Sequence, residues 1–184
     1  MNRTVLLVRH PPVADAFRGV CYGSSDVPLS GDGLAGLKAV TDAVQAGGPV
    51  THLYHSGLTR CVALAEEAAA LTGLPAVVDA RLRERCFGAW ELRPWDDIYA
   101  ETGDGMTGMV THPGTWRPPC GETTYELRDR VLAWYVELPM VGRIVTVTHG
   151  GPIAVLLGTL PGFPVCRWAD LVPTCGTAVL LPDG

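Results

Sequence analysis

Five side chains of this sequence have the chemistry needed to handle a doubly charged phosphate group. They are two histidines, two arginines and one glutamate: His10, His149, Arg9, Arg60 and Glu84. Arginine and histidine donate charge-assisted hydrogen bonds to the oxygens of a tetrahedral anion. A histidine can also attack phosphorus as a nucleophile, while a carboxyl group gives or takes a proton. The residue types therefore predict phosphoryl-transfer chemistry if the fold brings them together.

Two apolar segments, far apart in sequence, each end in one of these histidines. Residues 4–8 lead directly to Arg9 and His10, and residues 144–148 lead to His149. Uninterrupted apolar runs are typical of strands that are buried on both faces of a parallel sheet. Ligands of open α/β sheets bind just beyond the carboxyl ends of such strands. We therefore expect both imidazoles to face one crevice at the same edge of the sheet.

The other chemical groups follow further predicted elements. A strand over residues 50–55 delivers Ser56 and Arg60 to the same edge, with Ser56 as the expected cap of a helix that runs to about residue 72. Arg60 then falls in the first turn of that helix. A strand over residues 75–79 leads into the loop that carries Glu84. Gly150 opens a helix after the second histidine, and backbone N–H groups at a helix start form a natural anion site.

The remaining pattern completes an α/β chain. Helices are expected over residues 30–46, 94–100 and 121–138 and from 150 to about 157, and a last strand over 177–181. Strands that alternate with helices indicate an α/β fold with a mostly parallel sheet. The long loop at 11–30 is typical of a functional segment. We expect a single domain over residues 1–184, with a short lid-like insertion at about 92–121.

The composition limits the partners. The chain has 184 residues, 47% hydrophobic and 18% charged, with a net charge of −5. This acidic balance disfavours nucleic acid or an anionic membrane as the main partner. No apolar run approaches the ~18 residues that cross a bilayer, and the first strand begins too early to leave room for a signal peptide. The six cysteines form no C-x-x-C pair, which favours reduced thiols in the cytoplasm over a zinc site.

Five short segments carry a resemblance to a known family. They are Leu-Val-Arg-His at 7–10, Ser-Gly-Leu-Thr-Arg at 56–60, Leu-Arg-Glu with Phe-Gly-Ala-Trp-Glu within 82–91, Gly-Glu-Thr at 121–123 and Thr-His-Gly-Gly at 148–151. In type and order this series resembles the motifs of the histidine phosphatase (phosphoglycerate mutase-like) superfamily. The resemblance implies a three-layer α/β/α sandwich with a mostly parallel central sheet. It also implies a metal-independent phosphomonoesterase without a cofactor.

The resemblance also assigns roles to individual residues. His10 becomes the nucleophile that carries a phosphohistidine intermediate, with a backbone carbonyl or similar acceptor fixing its tautomer. Glu84 becomes the acid and then the base. Arg9, Arg60 and His149 hold the phosphoryl oxygens. Gly150, Tyr22 and Ser24 complete the expected substrate-binding set.

A subfamily is indicated by the loop at residues 19–29. Its sequence Gly-Val-Cys-Tyr-Gly-Ser-Ser-Asp-Val-Pro-Leu resembles that of α-ribazole phosphatase-like members, which act in cobalamin biosynthesis. This implies α-ribazole 5′-phosphate as the substrate. The expected partners are a small phosphorylated metabolite and a second copy of the chain in a homodimer.

The chain departs from the family pattern directly after the nucleophile. Pro11 stands where the motif has glycine, and the motif's threonine and asparagine fall on Val13 and Ala16. These changes leave open a catalytically lapsed protein that binds a phosphorylated ligand. A phosphoglycerate mutase-type transfer, which would use the same site, is a second open alternative. A metal site made of His10, His149 and a cysteine is disfavoured, because no ligand spacing accompanies the two histidines.

Overall fold

The structure, a computed structural model, describes residues 3–181, without the side chains of Ala39 and Ala43. The predicted domain limits at residues 1 and 184 therefore lie outside the described residues. The strands are β1 (Arg3–Arg9), β2 (Val20–Cys21), β3 (His52–His55), β4 (Ala76–Val78), β5 (Arg93–Pro94), β6 (Gly142–Thr148) and β7 (Ala178–Leu180). The α-helices are α1 (Gly31–Ala35), α2 (Leu37–Ala46), α3 (Thr59–Thr72), α4 (Trp95–Thr102), α5 (Gly108–Thr111), α6 (Thr124–Val136) and α7 (Gly150–Thr159).

The main sheet has five strands in the order β4-β3-β6-β1-β7. β1, β3, β4 and β6 are parallel, and β7 runs antiparallel to β1 at the edge. Arg9 on β1 pairs with Thr148 on β6, and His55 on β3 pairs with Val147 on β6. The carboxyl ends of the three strands therefore lie at one edge, as predicted. β2 and β5 form a separate two-stranded antiparallel sheet.

The apolar core covers both faces of the main sheet. Val5 and Leu7 of β1 pack with residues of α6 and α7, whereas Leu6 and Val8 pack with residues of α2 and α3. Side chains alternate between the faces of a strand, so an unbroken apolar run requires cover on both sides. The predicted three-layer sandwich with a mostly parallel sheet is confirmed.

Several helix boundaries differ from the predicted ones. The helix predicted over 30–46 is divided at Gly36 into α1 and α2. Ser56 does not cap α3, because the helix begins only at Thr59 after a Leu58 N-cap. Instead Asp26 accepts a hydrogen bond from the Thr59 backbone N–H at 2.7 Å. A residue from a distant loop thus replaces the local cap.

The segment proposed as an insertion contains regular structure. The helix predicted at 94–100 is α4, followed by a 3-10 turn at Gly103–Thr107 and by α5. Trp95, Met106 and Trp116 pack here against a small core of Cys21, Trp90 and Ile98. α6 starts later than predicted, after a capping box formed by Thr123 and Glu126. A further 3-10 helix, Val165–Leu171, was not predicted.

Within residues 3–181, none of the helices is both long enough and apolar enough to span a bilayer.

Candidate active site

His10 lies just beyond β1, and its ring is held in one tautomer. Its backbone N–H donates to the Thr148 carbonyl at 3.0 Å, which continues the β1–β6 pairing by one residue. Its Nδ1 lies 2.7 Å from the Pro11 carbonyl oxygen. Because a carbonyl only accepts, Nδ1 carries the proton and Nε2 keeps its lone pair. Pro11, which lacks an N–H, therefore supplies the acceptor that a nucleophilic His10 requires.

Burial keeps the imidazole of His10 neutral. Only 1% of the residue is exposed, and this desolvation lowers the pKa of His10 from 6.5 to about 3. The bond to Pro11 opposes this shift, whereas the positive charges of Arg60 and Arg9 add to it. His10 is therefore an unprotonated base at neutral pH, which suits nucleophilic attack.

The tautomer of His149 is fixed by its two neighbours. Arg60 Nε donates to His149 Nδ1 at 3.2 Å, so that Nε2 carries the proton and donates to Ser56 Oγ at 2.8 Å. Burial, with Arg60 as the next cause, lowers the pKa of His149 well below its ordinary value. The rings of His10 and His149 lie 5.1 Å apart between centroids. The two predicted histidines therefore meet, both neutral.

These two histidines should make the protein less stable in acid. Between pH 6.5 and 3 the unfolded chain binds a proton at His10 that the folded chain does not bind, and His149 shifts in the same direction. We expect the free energy of unfolding to fall as the pH falls from 6.5, by up to about 1.4 kcal/mol per pH unit for each histidine. Urea denaturation at pH 7, 6, 5 and 4 measures this slope.

The matched variants for this measurement are His10→Asn and His112→Asn. His112 is exposed and lies outside the site, so His112→Asn controls for the change from histidine to asparagine itself. His10→Asn removes one titrating group and should make the slope shallower. Identical slopes for His10→Asn and the unmodified protein would contradict the assigned protonation state.

Arg60 is a fully buried cation that is held rigidly by the loop at residues 23–25. Its Nη1 donates to the Ser25 carbonyl at 2.8 Å, and its Nη2 donates to the Gly23 carbonyl at 2.6 Å. The Tyr22 ring centroid lies 5.2 Å from Arg60 Cζ. Because each terminal nitrogen carries two N–H groups, Arg60 keeps donors for an anion while its position is fixed.

Arg9 adds a second cation at the start of α7. Its Nη1 donates to the Pro173 carbonyl at 2.6 Å. Its buried Nε has no hydrogen-bond partner among the residues that the structure describes. A Cβ atom built on Gly150 would lie 3.3 Å from Arg9 Cζ, so the guanidinium lies against the helix N-terminus. An uncommitted buried donor at this place is suited to an anion.

The carboxylate of Glu84 is bound at the N-terminus of α7. It accepts from the Gly151 N–H at 3.1 and 3.2 Å and from the Arg85 N–H at 2.9 Å. A negative charge is favourable at a helix N-terminus. The sequence predicted that the glycine N–H groups here receive a phosphate, but the Gly151 N–H binds Glu84 instead. A Cβ atom at Gly151 would overlap Glu84 Oε1, so glycine is required for this contact.

The segment that carries Glu84 is fixed by Arg130, a residue that the sequence analysis missed. Arg130 donates to the carbonyl oxygens of Arg81 at 2.6 Å, Arg83 at 2.8 Å and Glu84 at 3.0 Å. It also forms an ion pair of 2.7 Å with Glu122. Glu122 belongs to the Gly-Glu-Thr segment, so this motif indicates one of the two partners of the ion pair. Arg130 lies in no recognised motif.

Glu91 fixes the loop that holds Arg60. Its carboxylate accepts from the Ser24 N–H at 3.0 Å, from Ser24 Oγ at 2.7 Å, from Ser25 Oγ and from the Phe87 N–H at 3.0 Å. Burial opposes ionisation of Glu91, but the bonds from Ser25 and Ser24 lower its pKa below the ordinary value. Ser24, predicted to bind substrate, donates both groups to Glu91. Its place in substrate binding stays a prediction.

Two of the three positions that depart from the motif, Val13 and Ala16, lie outside this cluster. Val13 forms an isolated β-bridge with Leu29, and Ala16 lies exposed in a 3-10 turn. Across the described part of the chain, no three His, Cys, Asp or Glu side chains are grouped to hold a metal ion. The edge of the sheet thus combines neutral imidazoles, fixed guanidinium groups and one carboxylate, a combination that suits transfer of a phosphoryl group through histidine.

Comparison with known proteins also indicates a protein that transfers phosphoryl groups through histidine. The family model of the histidine phosphatase superfamily (branch 1) matches residues 5–184. The "Probable phosphoglycerate mutase GpmB" of Citrobacter koseri is 34% identical over 169 residues, which cover 90% of this chain and 77% of the relative. The protein of the same name from Salmonella paratyphi B matches with the same values. The chain belongs to the histidine phosphatase superfamily.

Solved structures show the same fold. A mycobacterial glucosyl-3-phosphoglycerate phosphatase superposes with a TM-score of 0.83 at 26% identity, covering 97% of this chain and 92% of that one. The α-ribazole phosphatase of Shigella flexneri superposes with a TM-score of 0.79 at 21% identity, covering 96% and 89%. At that identity the second likeness shows the fold alone.

Proposed function

We propose that this protein is a metal-independent phosphomonoesterase that transfers the phosphoryl group of a small metabolite to His10 and then to water. The observation that carries the proposal is the state of His10. Its Nδ1 proton is bound to the Pro11 carbonyl at 2.7 Å, its pKa is lowered to about 3, and Nε2 keeps a lone pair for attack. A phosphatase neighbour at 26% identity supports the same reaction class.

In the first step, His10 Nε2 forms a bond to phosphorus while the bond from phosphorus to the leaving oxygen breaks. Arg9, Arg60 and the Nε2–H of His149, which Ser56 binds in the absence of substrate, hold the phosphoryl oxygens. Donors that are fixed before the reaction stabilise the charge of the transition state most effectively. Glu84, which the negative charge of the bound phosphate group favours in its protonated form, gives its proton to the leaving oxygen.

In the second step, a water molecule attacks the phosphohistidine. Glu84 is now a carboxylate and takes a proton from this water, while the bond between phosphorus and Nε2 breaks. Inorganic phosphate leaves, and His10 returns to its neutral form. The proton that Glu84 gave in the first step is thereby recovered.

The substrate we propose is α-ribazole 5′-phosphate, on the strength of the loop at residues 19–29. The second candidate is a phosphoglycerate mutase-type transfer, which the 34% identity to a relative of that name favours. In that reaction the phosphoryl group passes from the histidine to a second hydroxyl group rather than to water.

A panel of phosphomonoesters distinguishes these reactions. Phosphate release is measured for α-ribazole 5′-phosphate and 3-phosphoglycerate, together with formation of 2-phosphoglycerate, in the presence of EDTA. We expect phosphate to be released, and we expect the highest kcat/KM of the panel for α-ribazole 5′-phosphate. Isomerisation of 3-phosphoglycerate faster than phosphate release supports the mutase. If the folded protein acquires no acid-labile phosphate on His10 from any of the esters, it is a catalytically lapsed protein that binds a phosphorylated ligand.

Replacement of Gly151 with alanine should misplace Glu84. The new Cβ would overlap Glu84 Oε1, so the carboxyl group must move away from the leaving oxygen. A displacement of about 1 Å costs on the order of 100-fold in rate, and we expect this loss in kcat. Gly31→Ala is the matched control, because Gly31 also lies in the first turn of a helix with nothing within 4 Å of its Cβ position. Equal kcat for both variants would refute the positioning role of Gly151.

The cytoplasm is the compartment that we propose for this reaction. All six cysteines, each within residues 3–181, are free thiols, as is usual for proteins in a reducing compartment. A small phosphorylated metabolite as the partner and a homodimer as the assembly stay predictions.

A further inference from the structure

A cleft of about 350 Å³ continues from the proposed phosphate site. Arg9, Glu84, Gly150 and Gly151 line it at one end, next to the groups that would hold and protonate the ester. The leaving group of a bound ester must extend from that end into the remaining space. The volume lies in the range of small-molecule sites. The chemistry of the walls therefore determines which alcohol the enzyme accepts.

The walls of this cleft are mainly apolar and partly aromatic. Phe87 and Trp95 meet edge to face with ring centroids 5.3 Å apart. Val110 of α5, Val155 of α7 and Trp168 of the Val165–Leu171 turn line other parts of the cleft. Trp168 Nε1 donates to the Phe163 carbonyl at 3.0 Å, so its polar atom is already used. These surfaces favour an apolar partner with a flat ring.

Besides Tyr22, whose ring lies near Arg60, the polar side chains of the lining away from the phosphate end are Arg85 and Thr124. They bind each other, since Arg85 Nη2 donates to Thr124 Oγ1 at 2.9 Å. Thr124 Oγ1 in turn donates to the Met109 carbonyl at 2.7 Å. Arg85 is only 8% exposed, and its Nη1 has no hydrogen-bond partner within residues 3–181. Arg85 and Thr124 thus leave little hydrogen-bonding capacity for a ligand, because the Nη1 atom of Arg85 is itself buried.

We propose that this cleft selects phosphomonoesters whose leaving group is an apolar, ring-bearing alcohol. The inference rests on the proposed function for the position of the phosphate. A glycerate leaving group is small and polar, so it would leave the aromatic walls uncovered and much of its own hydrogen-bonding capacity unmet. An aromatic ring would instead bury its faces against Phe87, Trp95 and Trp168.

The test compares esters of matched charge but different leaving groups. We expect kcat/KM for 1-naphthyl phosphate to exceed that for glycerol 3-phosphate and 3-phosphoglycerate by about 100-fold, the size of effect that apolar pockets achieve in discrimination. Comparable values for the three esters, with phosphate released from each, would overturn the inference and leave the proposed function intact.

Two matched variants locate the effect in the cleft. Val110→Asp places a carboxylate in the wall at a residue that is 39% exposed, and Val136→Asp makes the same change at a helix residue that is 70% exposed and outside the lining. Val110→Asp should lower kcat/KM for 1-naphthyl phosphate at least 10-fold with little change for glycerol 3-phosphate. Val136→Asp should change neither value. An equal effect of both variants refutes the inference.

A binding measurement separates this inference from the proposed function. The probe is 1-naphthylmethylphosphonate, which has no ester bond to break, titrated into the unmodified protein and the Val110→Asp variant. Weaker binding to the variant, together with no phosphate release from any ester, would support the cleft and refute the phosphatase. Equal binding to both proteins would refute the cleft, whatever the activity.

Discussion

Replacing His10 with alanine is expected to reduce phosphate release from every ester by at least about 10⁴-fold. The variant lacks the only atom that we propose to bond to phosphorus, and no water-activating group replaces it on that side. The backbone fold at residue 10 should be kept, because the hydrogen bond from its N–H to the Thr148 carbonyl does not involve the side chain. The charge of the site should also be kept, because the imidazole of His10 is neutral. The measurement is kcat/KM with the phosphomonoester panel, together with labelling of the phosphoenzyme after an alkaline quench, in which phosphohistidine is stable.

His55→Ala is the matched control for His10→Ala. His55 is also a buried histidine at the carboxyl end of a parallel strand, β3, and burial likewise lowers its pKa. Its Nδ1 accepts a hydrogen bond from the Gly57 N–H, so its replacement should affect stability while kcat stays within a few-fold of the unmodified enzyme. Appreciable turnover by His10→Ala, or a phosphoryl label on another residue, would refute the mechanism.

The sequence predicts the position of the site because the signals are local. An apolar run that ends in Arg9 and His10 indicates a buried strand and its end, and the second run does the same for His149. Parallel order then brings these ends to one edge, as the pairing of Arg9 with Thr148 shows. The carbonyl acceptor expected for His10 is also found. Its source, Pro11, could not be identified before the turn geometry was known.

The supporting contacts could not be predicted, because they join residues that no local pattern connects. Asp26 replaces Ser56 at the start of α3 although it lies 33 residues before Thr59. Ser56 is then bound to His149, 93 residues away. Arg130 holds the backbone of the Glu84 segment across 46 residues. Such contacts depend on how loops pack over the sheet, which hydrophobic periodicity does not report.

The site also separates two kinds of recognition. At the sheet edge, charged groups are fixed by backbone carbonyls, as Arg60 is by Gly23 and Ser25, so that little reorganisation is needed when a phosphate binds. Beyond Glu84 the lining becomes aromatic and aliphatic. In the mechanism that we propose, phosphate binding and leaving-group selection depend on different residues, and a substitution at Val110 is expected to change one without the other. Glu84 lies at the boundary between the two.

Glu84→Gln should therefore have an effect that depends on the leaving group. Glutamine keeps an oxygen that can accept from the Gly151 and Arg85 N–H groups, as Glu84 does, but it has no proton to give. For an alkyl ester, whose leaving oxygen is strongly basic, we expect kcat to fall by about 10² to 10⁴-fold. For 4-nitrophenyl phosphate the leaving oxygen needs no proton, so formation of phosphohistidine should be nearly unchanged.

The second step reveals whether Glu84 also acts as the base. If it activates water, Glu84→Gln accumulates phosphohistidine during turnover of 4-nitrophenyl phosphate, with a burst of nitrophenol close to one equivalent per enzyme molecule. Rapid-quench measurement of the burst and of the labelled enzyme tests this, with the exposed Glu67→Gln as the control that should show no accumulation. Equal losses of kcat for the alkyl and nitrophenyl esters, without a burst, would contradict a role of Glu84 in proton transfer. Only proton transfer depends on the basicity of the leaving oxygen, so such a result would show that Glu84 affects binding of the phosphoryl group.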